Sequence, residues 1–251
     1  MVYQPKYTSE IKVEEVVQFE ISADTSPSSD EVLNMIEKVE QEIDGRKLGW
    51  KDGGSYGDGY VATNLYIDVT PENSDVDDED KDIYATKVYL RGYPILSVTS
   101  LKRRTSDELD DTPVWEDLTQ GYYSGWDETS DTDYMLIMSR GKDNQEYGIG
   151  FYFYSSKKPK AGRASLKATF TYSYNVPETV LEEYATLKVA IQVLRAAAAA
   201  GEPTRLSTYT GGDFQTFVNK EIQEQISEWE KRVAEIERDH FPDVPSGPIS
   251  L

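Results

Sequence analysis

Cysteine is absent from this 251-residue chain, and histidine occurs once, at His240. Without thiols there is no disulfide framework, no thiolate nucleophile and no Cys/His zinc site. A Ser-His-Asp triad would depend on His240, which stands just before Phe241 and Pro242 in what reads as a tail. Positive charge is scarce too: Lys+Arg 26 against Asp+Glu 46 leave a formal net charge of -20. A general nucleic-acid binder needs a net positive face toward phosphate, so that class is set aside. Nothing approaches the run of roughly 18 apolar residues that a membrane span needs, and the first residues lack the apolar core of a signal peptide. The expectation is a soluble protein made in the cytoplasm, long enough for one large domain or two small ones. Acidity of this kind suits a high-salt environment or a surface that stays dispersed at high local concentration.

What is present divides by period. Val13, Val16 and Val17 predict a short first helix, over 12–19. Ser28 and Glu31 stand at capping-box spacing, and Val32, Ile36, Val39 and Ile43 repeat at helical intervals until Asp44 and Gly45 end a second helix. A glycine-rich stretch over 53–59 follows, and the pattern then changes to alternation. Strands are expected over 60–69, 83–90, 97–104, 114–118, 134–139, 147–154 and 164–174, rich in Val, Ile, Thr, Tyr and Phe. Short strands at such spacing imply an antiparallel sandwich or barrel. Pro177 then opens a helix with the stripe Val180, Tyr184, Leu187, Ile191, Leu194 and Ala198, closed before Pro203. Asp213 can cap a last helix reaching about Asp239, whose stripe Ile222, Ile226, Trp229, Val233 and Ile236 keeps heptad spacing. Pro242, Pro245 and Pro248 make 241–251 an extended tail. The fold class is therefore α+β. N-terminal helices over 1–50 pack with C-terminal helices over 176–240, around an inserted β domain over 60–175.

Several stretches have the composition of a site without its grammar. The acidic run over 75–82 has Asp80 and Thr86 where an EF-hand loop starting at Asp75 needs Gly and Glu, so a solvated hairpin loop is the better reading. The glycines of 53–59 are not followed by Lys-Ser/Thr or by a helix, unlike a phosphate-binding loop. Ser155 and Lys158 make a literal Ser-x-x-Lys, but in a turn between strands rather than at a helix start. Trp115, Tyr122, Tyr123 and Trp126 have the ring faces to stack on sugars, and ordinary sheet packing explains them as well. No catalytic residue, metal ligand or cofactor is expected. Two basic clusters interrupt the acidity, Lys102-Arg103-Arg104 and Lys157-Lys158 with Lys160 and Arg163. They suit contact with DNA or with acidic patches on a neighbouring copy, and solvation of strand ends and hairpin tips explains them as well.

The order of elements resembles the head–tail connector (adaptor) proteins of tailed viruses. The residues that carry the likeness are the opening helices, Tyr93-Pro94-Ile95-Leu96-Ser97-Val98, the long strand over 164–174, and the Val176-Pro177-Glu178 start of an Ala-rich helix. The acidity and the long β insertion are similar to what a tailed virus of a salt-loving archaeon would carry. The resemblance implies a helical connector fold and a non-catalytic protein of the virion neck. It also implies a homo-oligomeric ring, commonly a dodecamer, between the portal protein and the tail or a stopper protein, with DNA passing through the lumen without specific binding and no membrane contact. On that basis Trp229, Ile236, Phe241, Pro242, Val244, Ile249 and Leu251 are the expected portal-binding residues. Lys102, Arg103, Arg104, Lys157 and Lys158 are the expected contacts to ring neighbours. The alternatives are another neck component, such as a stopper or tail terminator, or a carbohydrate-binding β domain.

Overall fold

The computed structural model describes residues 3–18, 20–51, 54–70, 84–90, 92–107, 112–121, 132–142, 146–154, 157–200 and 214–242, the last with side chains from 221 onward. The chain divides into two compact units, Met1–Tyr56 with Asn175–Leu251 and Gly57–Tyr174. Among the described residues there are four helices and seven strands, so the protein is α+β.

Serines begin the first two helices. The Ser9 side chain accepts from the Lys12 backbone N–H at 3.4 Å to cap α1 (Glu10–Val17), which starts and stops earlier than its valines suggest. At α2 (Ser29–Gly45), Glu31 reaches back to the Ser28 backbone N–H at 2.8 Å, and Val32, Ile36, Val39 and Ile43 are buried. Helix α3 (Glu178–Ala200) packs against α1, α2 and α4 (Phe214–His240). It therefore buries more than one stripe. Tyr184, Ile191 and Leu194 face inward as expected, but so do Leu181, Ala185, Val189, Val193 and Ala197 on its other side. The small alanines let neighbouring helices come close, and a helix apolar nearly all round belongs at the centre of its bundle. His240 is the last residue of α4, at the end of the expected helical stretch over 176–240.

The second unit is a single sheet. Its strands are β1 (Tyr60–Val69), β2 (Lys87–Tyr89), β3 (Ile95–Arg104), β4 (Trp115–Leu118), β5 (Tyr134–Arg140), β6 (Glu146–Phe153) and β7 (Gly162–Tyr172). The strand order is β1-β7-β3-β6-β2, with β4 added to β3 and β5 to β6, and every strand pair is antiparallel. Of the expected antiparallel sandwich or barrel, the described strands form one sheet curled into a half-barrel. Register shifts explain the curl. They fall between Ala62 and Leu65, where Asn64 takes φ 52°, between Ile67 and Val69, at two points along β3, and between Ile137 and Met138. Each bulge bends and twists its strand, so the sheet closes over its own inner face and needs no second sheet above it. That face holds Ile95, Leu101, Phe151, Phe153, Leu166 and Phe170, all buried. Strands β2 and β6 approach so tightly at Gly150 that a Cβ there would stand 2.3 Å from the Val88 carbonyl oxygen. β2 is much shorter than the expected strand over 83–90, whose residue 83 lies outside the described residues.

Candidate functional site

In the helical unit the polar contacts converge where α4 ends. Phe241, one residue past the helix, is 1% exposed and packs edge-on against Tyr184 of α3, ring centroids 4.7 Å apart. The Arg46 guanidinium, just past α2, lies over the Phe241 ring, 4.7 Å from its centre. Arg46 also donates to Glu237 of α4 at 3.0 Å. The Tyr184 hydroxyl lies 2.9 Å from Glu42 Oε1 and 2.8 Å from Glu237 Oε1, so α2 and α4 share one phenolic proton from α3. Lys188 completes the cluster, donating to Glu42 at 2.7 Å and to the Tyr184 oxygen at 3.0 Å. Burial raises the Tyr184 phenol, and the Glu237 and Glu42 carboxylates raise it further. Burial also pushes Glu42 upward, but hydrogen bonds from Lys188 and Tyr184 outweigh it and leave that carboxyl below its ordinary range.

A second buried anchor holds the start of the chain. Glu40, 3% exposed, accepts from the backbone N–H groups of Lys6 at 2.7 Å, Tyr7 at 2.6 Å and Thr8 at 3.4 Å, and from the Tyr3 hydroxyl. Lys6 Nζ reaches Asp44 at 2.7 Å and the Trp50 carbonyl at 2.7 Å. Burial lowers the Lys6 ammonium, yet Asp44 and Tyr7 together outweigh it and its pKa is raised. Neither Glu40 nor Tyr184 is announced by sequence, because their partners lie tens of residues away. The one available signal is a Glu inside the apolar arc between Val39 and Ile43.

These contacts decide where the expected portal-binding residues sit. Ile236 and Phe241 are buried in the helical unit's own core, so neither is an exposed anchor. Their apolar character is explained by packing on α3. Trp229 and Pro242 are half-buried. Val244, Ile249 and Leu251 lie outside the described residues.

In the β unit the basic clusters meet carboxylates of their own chain. Lys102 pairs with Asp117 at 2.9 Å, and Arg103 with Glu116 at 2.7 Å. Lys157 pairs with the same Glu116, and the Lys158 carbonyl accepts from Arg103 at 3.3 Å. Arg104 donates to the Asp107 carbonyl at 2.6 Å. Hydrogen bonds from Lys157 and Arg103 hold the Glu116 carboxyl below its usual range. Arg103 and Lys157 are thus both engaged by Glu116 within the chain. Of the ring-bearing residues considered for sugar stacking, Trp115 lies on β4, while Tyr122, Tyr123 and Trp126 lie outside the described residues, as do the acidic run over 75–82 and Ser155.

Among the described residues no three His, Asp or Glu side chains converge as a metal site would need, and no helix is long and apolar enough to cross a membrane. No protein-family model, curated protein or solved structure matches the chain.

Proposed function

We propose that the protein is a head–tail adaptor of a tailed virus, a ring-forming neck component that joins the portal to the tail while DNA passes through its lumen. The observation that carries the reading is the order and grouping of elements. Two helices from the start of the chain and two long helices from its end form one unit, and residues 57–174 form a separate β unit inserted between them. A connector fold with a β insertion has that plan. The charge supports it: copies at -20 around a tunnel repel phosphate, so DNA slides past without being held. Salt adaptation is a compatible second cause of the same charge.

The buried position of Phe241 sharpens the role of the C-terminus. The portal-docking segment on this reading is 243–251, leaving a point fixed by Phe241 and Arg46. Electron microscopy of the purified chain with and without portal tests the function: a ring with a central hole, seated on the portal, is expected, and particles that never form rings in either sample overturn it. Truncation after Pro242 is expected to abolish portal capture while leaving the helical core intact; capture at full strength removes the tail from the mechanism.

A further inference from the structure

Strand register sets Tyr66 of β1, Lys167 of β7, Lys102 of β3 and Asp117 of β4 in one row across four strands, with Arg104 and Trp115 opposite one another at the ends of β3 and β4. Ile67, Leu166, Leu101 and Leu118, chain neighbours of the row, are in the core, so alternation puts the row, Trp115 and Asp68 on the outer face. The two aromatic residues start far apart. Strands β7 and β3 lie between theirs, a span of about 14 Å at ordinary strand spacing. Their ring centroids are nevertheless 5.8 Å apart, so both side chains lie down along the sheet. Lys167 Nζ sits over the Tyr66 ring, 5.4 Å from its centre, and Tyr66 is still 55% exposed, chiefly through its other face. Lys167 also stands directly opposite Lys102, a like-charge pairing that costs the sheet stability. Two carboxylates lie among these cations. Asp117 meets Lys102 at 2.9 Å with a side chain that is 73% exposed, and Asp68 accepts from the Ala164 N–H at 2.8 Å.

We propose that this platform binds an acidic carbohydrate, a chain of sugar rings bearing carboxylate or sulfate groups. Each feature of the face has a use toward that ligand. The apolar C–H side of a sugar ring stacks on an open aromatic face such as that of Tyr66. An anionic substituent between Lys102 and Lys167 turns their mutual repulsion into a pair of charge-assisted hydrogen bonds. Asp117 and Asp68 accept from hydroxyl donors, which a sugar carries on most of its carbons. Those carboxylates separate this ligand from other polyanions. A DNA backbone brings phosphates with no hydroxyl donors, and its track needs a run of cations without acids among them. A neutral glycan satisfies the rings and the carboxylates but leaves the lysine pair unrelieved. The proposal goes beyond the adaptor reading and does not rest on it.

Isothermal titration calorimetry of the full chain tests it. The probes are an oligogalacturonate for carboxylate, a heparin oligosaccharide for sulfate, a neutral cello-oligosaccharide and a DNA oligonucleotide. At least one anionic saccharide is expected to bind about tenfold or more tightly than the neutral saccharide and the DNA, and the tighter of the two names the charged group. Lys102→Gln/Lys167→Gln and Tyr66→Ala should each weaken that binding by about tenfold or more. The lysine variant should also flatten its dependence on salt, which lost packing alone would not do. Hydrogen exchange of β3 and β7 is the fold control, and where Tyr66→Ala disturbs the sheet the lysine pair decides, since it removes no apolar contact. Wild type that binds neither anionic saccharide overturns the proposal, as does equal affinity for the neutral one or undiminished binding by the folded variants. DNA bound as tightly as either saccharide also overturns it and assigns the face to phosphate. Rings on portal without saccharide binding leave the adaptor reading standing while this proposal falls; saccharide binding without rings does the reverse.

Discussion

Glu40 and Tyr184 take their polar atoms inside the helical unit and satisfy them there, with partners drawn from both ends of the chain. The β unit treats its polar groups differently. Its inner face is mostly apolar, Lys102 and Lys167 meet a carboxylate and a ring on the outer face, and Arg103 and Lys157 share the half-buried Glu116. Buried hydrogen-bonded anchors fix one arrangement of a bundle, because losing a partner strands a desolvated group. An exposed pair such as Lys102–Asp117 contributes little to stability, whereas Arg103, Glu116 and Lys157 are half-buried and hold one another more firmly. The helical unit thus ties its polar atoms across elements distant in the chain, while the sheet ties its charges between neighbouring strands.

The sharpest way to break that comparison is at Phe241. Phe241→Ala opens a cavity beneath Tyr184 and Arg46 and should cost about 3–5 kcal/mol. Hydrogen exchange followed by mass spectrometry should show protection lost in α2, α3 and α4 while β6 and β7 keep theirs; equal loss in both units would show that they are one cooperative body. Glu40→Ala comes next. It leaves the N–H groups of Lys6, Tyr7 and Thr8 without their acceptor and should cost about 2–3 kcal/mol in denaturant unfolding. A change near zero would mean that the strap over 3–8 is ornamental to the helical core. On the other side, Gly150→Ala pushes a methyl toward the Val88 carbonyl and should cost about 1–3 kcal/mol, with the exchange changes now confined to the sheet.

Much of this architecture is legible in local pattern. Leu166, Ala168 and Phe170 alternate with Lys167 and Thr169, and that fixes which face of β7 is core without knowledge of its neighbours. The α2 stripe and its capping box are equally local. What escapes sequence reading depends on pairing. Alternation says that a strand is half-buried, but not whether a second sheet or the curl of its own sheet covers it; the bulge at Asn64 decides that, and it exists only in the register with β7. The second buried face of α3 is written partly in alanine, which no hydrophobicity stripe distinguishes from a tolerated surface residue. The basic clusters are visible by contrast with the acidity, while the row of Tyr66, Lys167, Lys102 and Asp117 forms only when β1, β7, β3 and β4 are laid side by side. Phe241 reads as an exposed anchor because its partner Tyr184 lies far back in the chain.

The smallest expected effects are electrostatic and separate the two units by pH. Glu42 has its folded pKa depressed below the ordinary 4.5, so its contribution is present above that value and is lost as pH falls through the lower folded value. Lys188→Met removes the hydrogen bond that does most to lower it and should flatten the fall in melting temperature on the acid side. Tyr184 is the mirror case. Its folded pKa is raised above the ordinary 10.0, so its contribution is complete below that pH and is lost as pH rises past it. Tyr184→Phe should therefore flatten the alkaline limb even where it lowers stability near neutrality. Glu116 gives the β unit an acid limb of its own through Lys157 and Arg103, which Lys188→Met should leave untouched. Exchange measured unit by unit along the pH series checks this: if Lys188→Met alters the acid response of β3 and β4 as much as that of α2 and α3, the charges of the two units are coupled and the division between them fails.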